Sequence, residues 1–224
     1  MSLAEQSLTW CTSALLALLV FLLFLPDSTI TSTIISFVTS FISGYIIWVL
    51  VVWLPEKKRM SVLRNNMQIK YQFFREAIAR ILFIASGQQG YKDTLCDYKE
   101  IRRAFPVEKW YPVLNGLQEN EHLLNDIKVE FTIFQSELSF FINNINFDDK
   151  QVCEKLRRLS EHVYRLNNDS VYQGDPVKYW GNFLWRVMAR WSDIDGELDY
   201  DWIEDAINGR DRRRHKKQSD QGRE

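Results

Sequence analysis

No lysine or arginine precedes Lys57 in this chain, and all 28 basic residues follow a second long, uncharged apolar run. Within residues 1–55 the only charged side chains are Glu5 and Asp27. A segment of this kind has no polar face to turn toward water, so it commits the chain to a membrane before any other feature is weighed. The formal net charge of -1 averages over this asymmetry and conceals it.

Residues 8–25 read LTWCTSALLALLVFLLFL. As a helix this run reaches about 27 Å, just enough to cross a hydrocarbon core. Pro26, Asp27, Ser28 and Thr29 then supply a turn, and residues 30–54 form the second uncharged run, which Pro55 is expected to end. A cleaved signal sequence is the alternative for the first run. No basic residue leads it, however, and Phe24-Leu25-Pro26-Asp27 lacks the small-x-small cleavage pattern. Lys57, Lys58, Arg59 and Arg64 flank the second run, and such cationic flanks stay cytoplasmic. Two spans then place both termini in the cytoplasm, giving a multi-pass protein of the cell inner membrane. Trp10, Tyr45, Trp48 and Trp53 fall near the inner ends, as an interfacial aromatic belt requires. The outer side keeps only a short turn, which argues against an extracellular receptor.

Along the second run Ser32, Ser36, Ser40 and Gly44 recur every fourth residue. On a helix this makes a ridge of small side chains, the arrangement that lets two backbones approach closely in lipid. The ridge suits packing against the first run of the same chain, and self-association is the sharper alternative. It carries no charge, so it is not an ion-selective filter.

The remainder reads as amphipathic helices. Leu63, Met67, Tyr71, Phe74, Ile78, Ile81 and Ala85 follow steps of three and four, closed by Ser86-Gly87. Leu124, Ile127, Phe131, Phe134, Leu138, Phe141 and Ile145 repeat the pattern, as do Val152, Leu156, Leu159, Val163 and Leu166 after the candidate caps Asp148 and Asp149. A fourth helix opens at Pro176 and carries Val177, Trp180, Leu184, Val187 and Trp191. Residues 87–116 look less regular, with room for a short helix over 98–104. Narrow apolar stripes must be buried against other helices, within the chain or in a coiled coil with a second one. The expected fold is all-α: a transmembrane helical hairpin over residues 1–55, a cytoplasmic α-helical bundle over 56–208, and a basic, disordered tail over 209–224.

Chemistry-bearing motifs are scarce. Cys11, Cys96 and Cys153 are odd in number and without a CxxC, which points to free thiols rather than disulfides or zinc. Placing Gly196 at position 6 of a calcium loop puts Trp191 and Trp202 at positions 1 and 12, so the acidic stretch Asp193 to Asp201 reads as a turn with helix caps. His122 and His162 each follow a glutamate, and neighbours in sequence do not face each other on a helix. No nucleophile, phosphate-loop or dinucleotide motif occurs, so no enzyme, metal, cofactor or small-molecule substrate is expected. Trp185 lies off the apolar seam and, with Trp202, is a candidate partner surface. Arg210, Arg212, Arg213, Arg214, Lys216 and Lys217 form a basic block suited to anionic lipid or to nucleic-acid phosphates.

Two spans, little outer surface and a helical cytoplasmic domain together suggest a membrane-acting effector. The domain binds a cytoplasmic partner, and the hairpins then associate and breach the bilayer. This layout of residues 8–25, 26–29, 30–54 and a helical remainder resembles the two-transmembrane effector proteins of bacterial antiphage systems of the retron type. The resemblance is one of architecture. It implies a toxic component in abortive infection, held silent by a reverse transcriptase with its nucleic-acid product. A constitutive membrane-anchored scaffold or adaptor is the alternative.

Overall fold

Apolar residues at helical spacing nucleate nearly every element in the computed structural model, which describes residues 29–87, 98–147, 149–173, 175–192, 196–198 and 200–210. The first apolar run and its part in a hairpin lie outside the described residues. Helix α1 spans Thr29–Trp48, a π-helical turn follows over Val49–Trp53, and α2 spans Leu54–Ala85. By contact the chain divides into two compact units, residues 1–59 and 60–224.

Pro55 does not end the second run. It lies inside α2, two residues past the π-helical turn. A proline within a helix removes one N–H and pushes its ring against the carbonyl four residues back. Here the Leu54 N–H reaches back five residues to the Val49 carbonyl. This wider turn takes up the mismatch, and the helix runs on.

The second unit holds α3 (Tyr98–Ala104), α4 (Val107–Gln118), α5 (Glu121–Asn144), α6 (Lys150–Asn168), α7 (Ser170–Gln173), α8 (Pro176–Met188) and α9 (Trp202–Ile207). Several starts are set by side chains that accept the orphan amides of the first turn. Asn120 caps α5, Asp149 caps α6, Asp175 caps α8 and Asp201 caps α9. Gly87 follows α2 at φ +66, a conformation that only glycine takes without cost.

These helices share one apolar core. All five expected seam positions of α6 are buried. In α5 the buried set is Leu123, Ile127, Phe131, Phe134, Leu138 and Phe141, so Leu123 takes the place expected for Leu124. Phe74 of α2 stacks on Phe134 at 4.4 Å, and Phe131 meets Trp180 of α8 edge-on at 5.6 Å. The buried Trp180 indole donates to the Leu166 carbonyl at 3.0 Å, which satisfies its one polar group.

Two expectations are corrected here. The irregular stretch holds, besides α3, the twelve-residue helix α4, which contains both Pro112 and Gly116. Gly116 is there for close approach, since a Cβ would collide with the carbonyl oxygen of Ala85 at the end of α2. Trp191 is not on the fourth helix. That helix stops at Met188, and Arg190 adopts φ 53, which turns the chain out of helical geometry. Trp191–Ser192 (β1) then pairs antiparallel with Gly196–Glu197 (β2), the one strand pair among the described residues.

Candidate functional site

The first unit presents a helix suited to lipid. From Ile35 onward it is long and apolar enough to cross a membrane. Phe37 is 74 % exposed, Ile47 61 % and Val51 66 %, with Phe41, Ile46, Leu50 and Val52 exposed as well. A continuous exposed apolar surface of this kind marks a face for membrane or protein contact. Residues 29–53 span about 37 Å as a helix, which exceeds a hydrocarbon core of roughly 30 Å.

Aromatic and charged groups collar one end. The Tyr45 and Trp48 rings lie 6.1 Å apart, and the Lys57 ammonium sits 4.7 Å from the centre of the Trp53 ring. Glu56 and Arg59 pair at 3.5 Å, both well exposed. An indole under an ammonium, one helical turn before a cluster of charges, is the chemistry of a lipid–water boundary.

Ser32, Ser36, Ser40 and Gly44 are all exposed along this helix. The Ser40 hydroxyl donates to the Ser36 carbonyl at 2.9 Å, and Thr39 donates to the Ile35 carbonyl at 2.8 Å. These donors are therefore satisfied inside their own helix, so lipid can tolerate them. A Cβ built at Gly44 meets nothing within 4 Å, so the ridge is open to a partner surface there.

In the second unit the most concentrated polar chemistry is a buried cluster around Asp201. Its carboxylate accepts the Tyr71 hydroxyl at 3.0 and 3.2 Å and the amides of Ile203 and Glu204 at 3.0 and 3.2 Å. Arg75 lies 3.6 Å from it and Arg190 3.8 Å, both at ion-pair range. Burial, and next the Asp201 charge, push the Tyr71 phenol well above its ordinary pKa, so it stays a donor. The Arg190 guanidinium also stacks 3.9 Å from the centre of the Tyr98 ring. Arg102 of α3 donates to the carbonyls of Ala189 at 2.6 Å and Arg190 at 3.3 Å. The cluster thus ties the β-hairpin and α9 to α2 and α3. Its chemistry is a clasp: the phenol and guanidinium groups are spent on one carboxylate.

Of the sequence candidates, Trp185 is half-buried with its ring 5.1 Å from that of Trp110, and Trp202 is half-buried against the core. Arg210 is exposed, and its amide donates to the Asp205 carbonyl at 2.8 Å after α9. Arg212, Arg213, Arg214, Lys216 and Lys217 lie outside the described residues, as do Asp193, Asp195 and Asp199 of the acidic turn. Asp201 is a helix cap, as read from sequence, but its pairing with Tyr71, Arg75 and Arg190 was not anticipated. One signal was available: Arg75 falls within the apolar seam of α2, between Tyr71 and Ile78. Among the described residues no group of His, Cys, Asp and Glu is placed to hold a metal. No family model, curated protein or solved structure matches the chain.

Proposed function

We propose that the chain is a membrane-acting effector: a helical hairpin of the inner membrane carries a cytoplasmic helical bundle, with both termini in the cytoplasm. The bundle binds a cytoplasmic partner that holds the protein in check. Its release lets the hairpins associate through the Ser32, Ser36, Ser40 and Gly44 ridge and breach the bilayer, as in abortive antiphage defence. The protein acts by binding and assembly rather than by catalysis. The observation that carries this reading is the exposed small-residue ridge with open space at Gly44, set in a helix whose other faces are large and apolar. In lipid, close backbone approach is the main route to helix association, and a ridge of this kind provides it.

The alternative is a constitutive membrane-anchored scaffold. It draws on the Ser40 and Thr39 hydroxyls, which are bonded within their own helix and need no partner. Sedimentation of the full chain in maltoside micelles separates the two. The effector reading expects oligomers that Ser36→Leu/Ser40→Leu dissociates and that Phe37→Leu/Phe41→Leu leaves intact. Monomers throughout, or equal sensitivity of the two faces, would contradict it.

A further inference from the structure

Helix α6 carries Arg158, Glu161, His162 and Arg165 at steps of three and four, so all four rise on one face. The turn into α7 brings Tyr172 to the same place, and these five residues line a cleft of about 230 Å³. Arg158 donates its Nε to Glu154 at 3.0 Å, and Arg165 donates an Nη2 proton to Glu161 at 2.5 Å. A guanidinium has five N–H donors, and these contacts use one apiece. Each guanidinium thus has one carboxylate, Glu154 for Arg158 and Glu161 for Arg165, and further N–H donors beyond that contact, with a phenol and an imidazole beside them.

We propose that this cleft binds a phosphate group of the monoester type, held between the Arg158 and Arg165 guanidinium groups with His162 and the Tyr172 hydroxyl completing the shell. Planar guanidinium forks match phosphate oxygens in geometry as well as charge. The site does not depend on the membrane function proposed above. The local field agrees with it. The groups around His162 are Arg158 and Arg165 one turn away on its own helix, the adjacent Glu161 at the rim of the cleft, Tyr172 on α7, and Arg186 and Phe183 on α8. Shielding of the ring, then the charges of Arg186 and Arg165, hold the His162 pKa below its ordinary value. Of these causes it is the positive field of Arg186 and Arg165, not the shielding, that favours an anion. The phosphate could belong to a soluble ester or to a lipid headgroup, since both present the same oxygens.

The test is ring-carbon NMR of the full chain in maltoside micelles, where His122, His162 and His215 are the only histidines and His162→Gln assigns the signal. Inorganic phosphate, against sodium chloride of matched ionic strength, should raise the His162 titration midpoint and leave the other two unmoved. Micelles doped with phosphatidic acid form the second arm, and a response there alone assigns the headgroup as the source. Arg158→Gln or Arg165→Gln should weaken the phosphate response about tenfold each, as for loss of one charge-assisted hydrogen bond. Both arginines are exposed, so these variants keep the fold. No response to either probe, or the same response in the Arg158→Gln/Arg165→Gln double variant, overturns the proposal.

Discussion

Replacing Asp201 with alanine removes one carboxylate from four roles at once. It strips the side-chain cap from α9, the acceptor from the Tyr71 hydroxyl, and the counter-charge from Arg75 and Arg190. The ion pairs, at 3.6 and 3.8 Å, act mainly through charge rather than as short hydrogen bonds. Removing one partner of a buried pair costs about 3–5 kcal/mol, because the remaining charge stays in a poorly solvated place. Loss of the cap alone costs about 1 kcal/mol. These terms overlap, so a total of about 4 kcal/mol is expected. For a domain of this size that lowers the melting temperature by roughly 10 °C. Near-ultraviolet circular dichroism of the full chain in micelles follows it, since Trp180, Trp185 and Trp202 all pack on the core. Asp201→Asn is the control: it keeps a good cap and an acceptor for Tyr71 but removes the charge, so its loss should fall between wild type and alanine. If Asp201→Ala melts within a degree or two of wild type, the cluster is not the clasp described above.

Gly116→Ala should destabilise the chain by about 1 kcal/mol or more, because overpacking against the Ala85 carbonyl outweighs the helical gain of alanine. Melting curves of wild type and variant, compared directly, check this. The depressed His162 pKa makes a stability contribution that is present above its ordinary value of 6.5 and lost as the pH falls below it, because the unfolded chain then binds the proton more readily. Glu130 works in the opposite sense. Burial, then Asp126, raise its pKa, so its contribution is present at acid pH and lost as the pH rises past the ordinary 4.5. Chemical unfolding between pH 5 and 7 should show a rise of stability with pH from His162, which His162→Gln removes while leaving the opposite contribution of Glu130.

Much of the helical framework was legible in local spacing. Asp149 and the five apolar positions of α6 announce their helix completely, because cap and seam are both short-range features. What spacing does not carry is the partner of a side chain. Tyr71 and Asp201 are 130 residues apart, so their bond is visible only once α2 and α9 are packed. Breaker residues misled in two places for different reasons. Gly116 reads as a stop but answers a tertiary demand for space, and Pro55 reads as a stop but is absorbed by a wider turn just before it. Trp191 continued a periodic pattern past the point where Arg190 had already turned the backbone. The serine ridge was plain in the sequence. Its exposure, and the bonding of the Ser40 and Thr39 hydroxyls within their own helix, required the structure.

The most direct test of the membrane-effector account is membrane potential in a bacterium after induced expression. The full chain, a chain lacking residues 1–55, and the Ser36→Leu/Ser40→Leu variant are compared at matched protein levels, in a host without the restraining partner. The account predicts rapid depolarisation by the full chain alone. Full polarisation in cells rich in the intact protein, or depolarisation by the ridge variant at the wild-type rate, would contradict it.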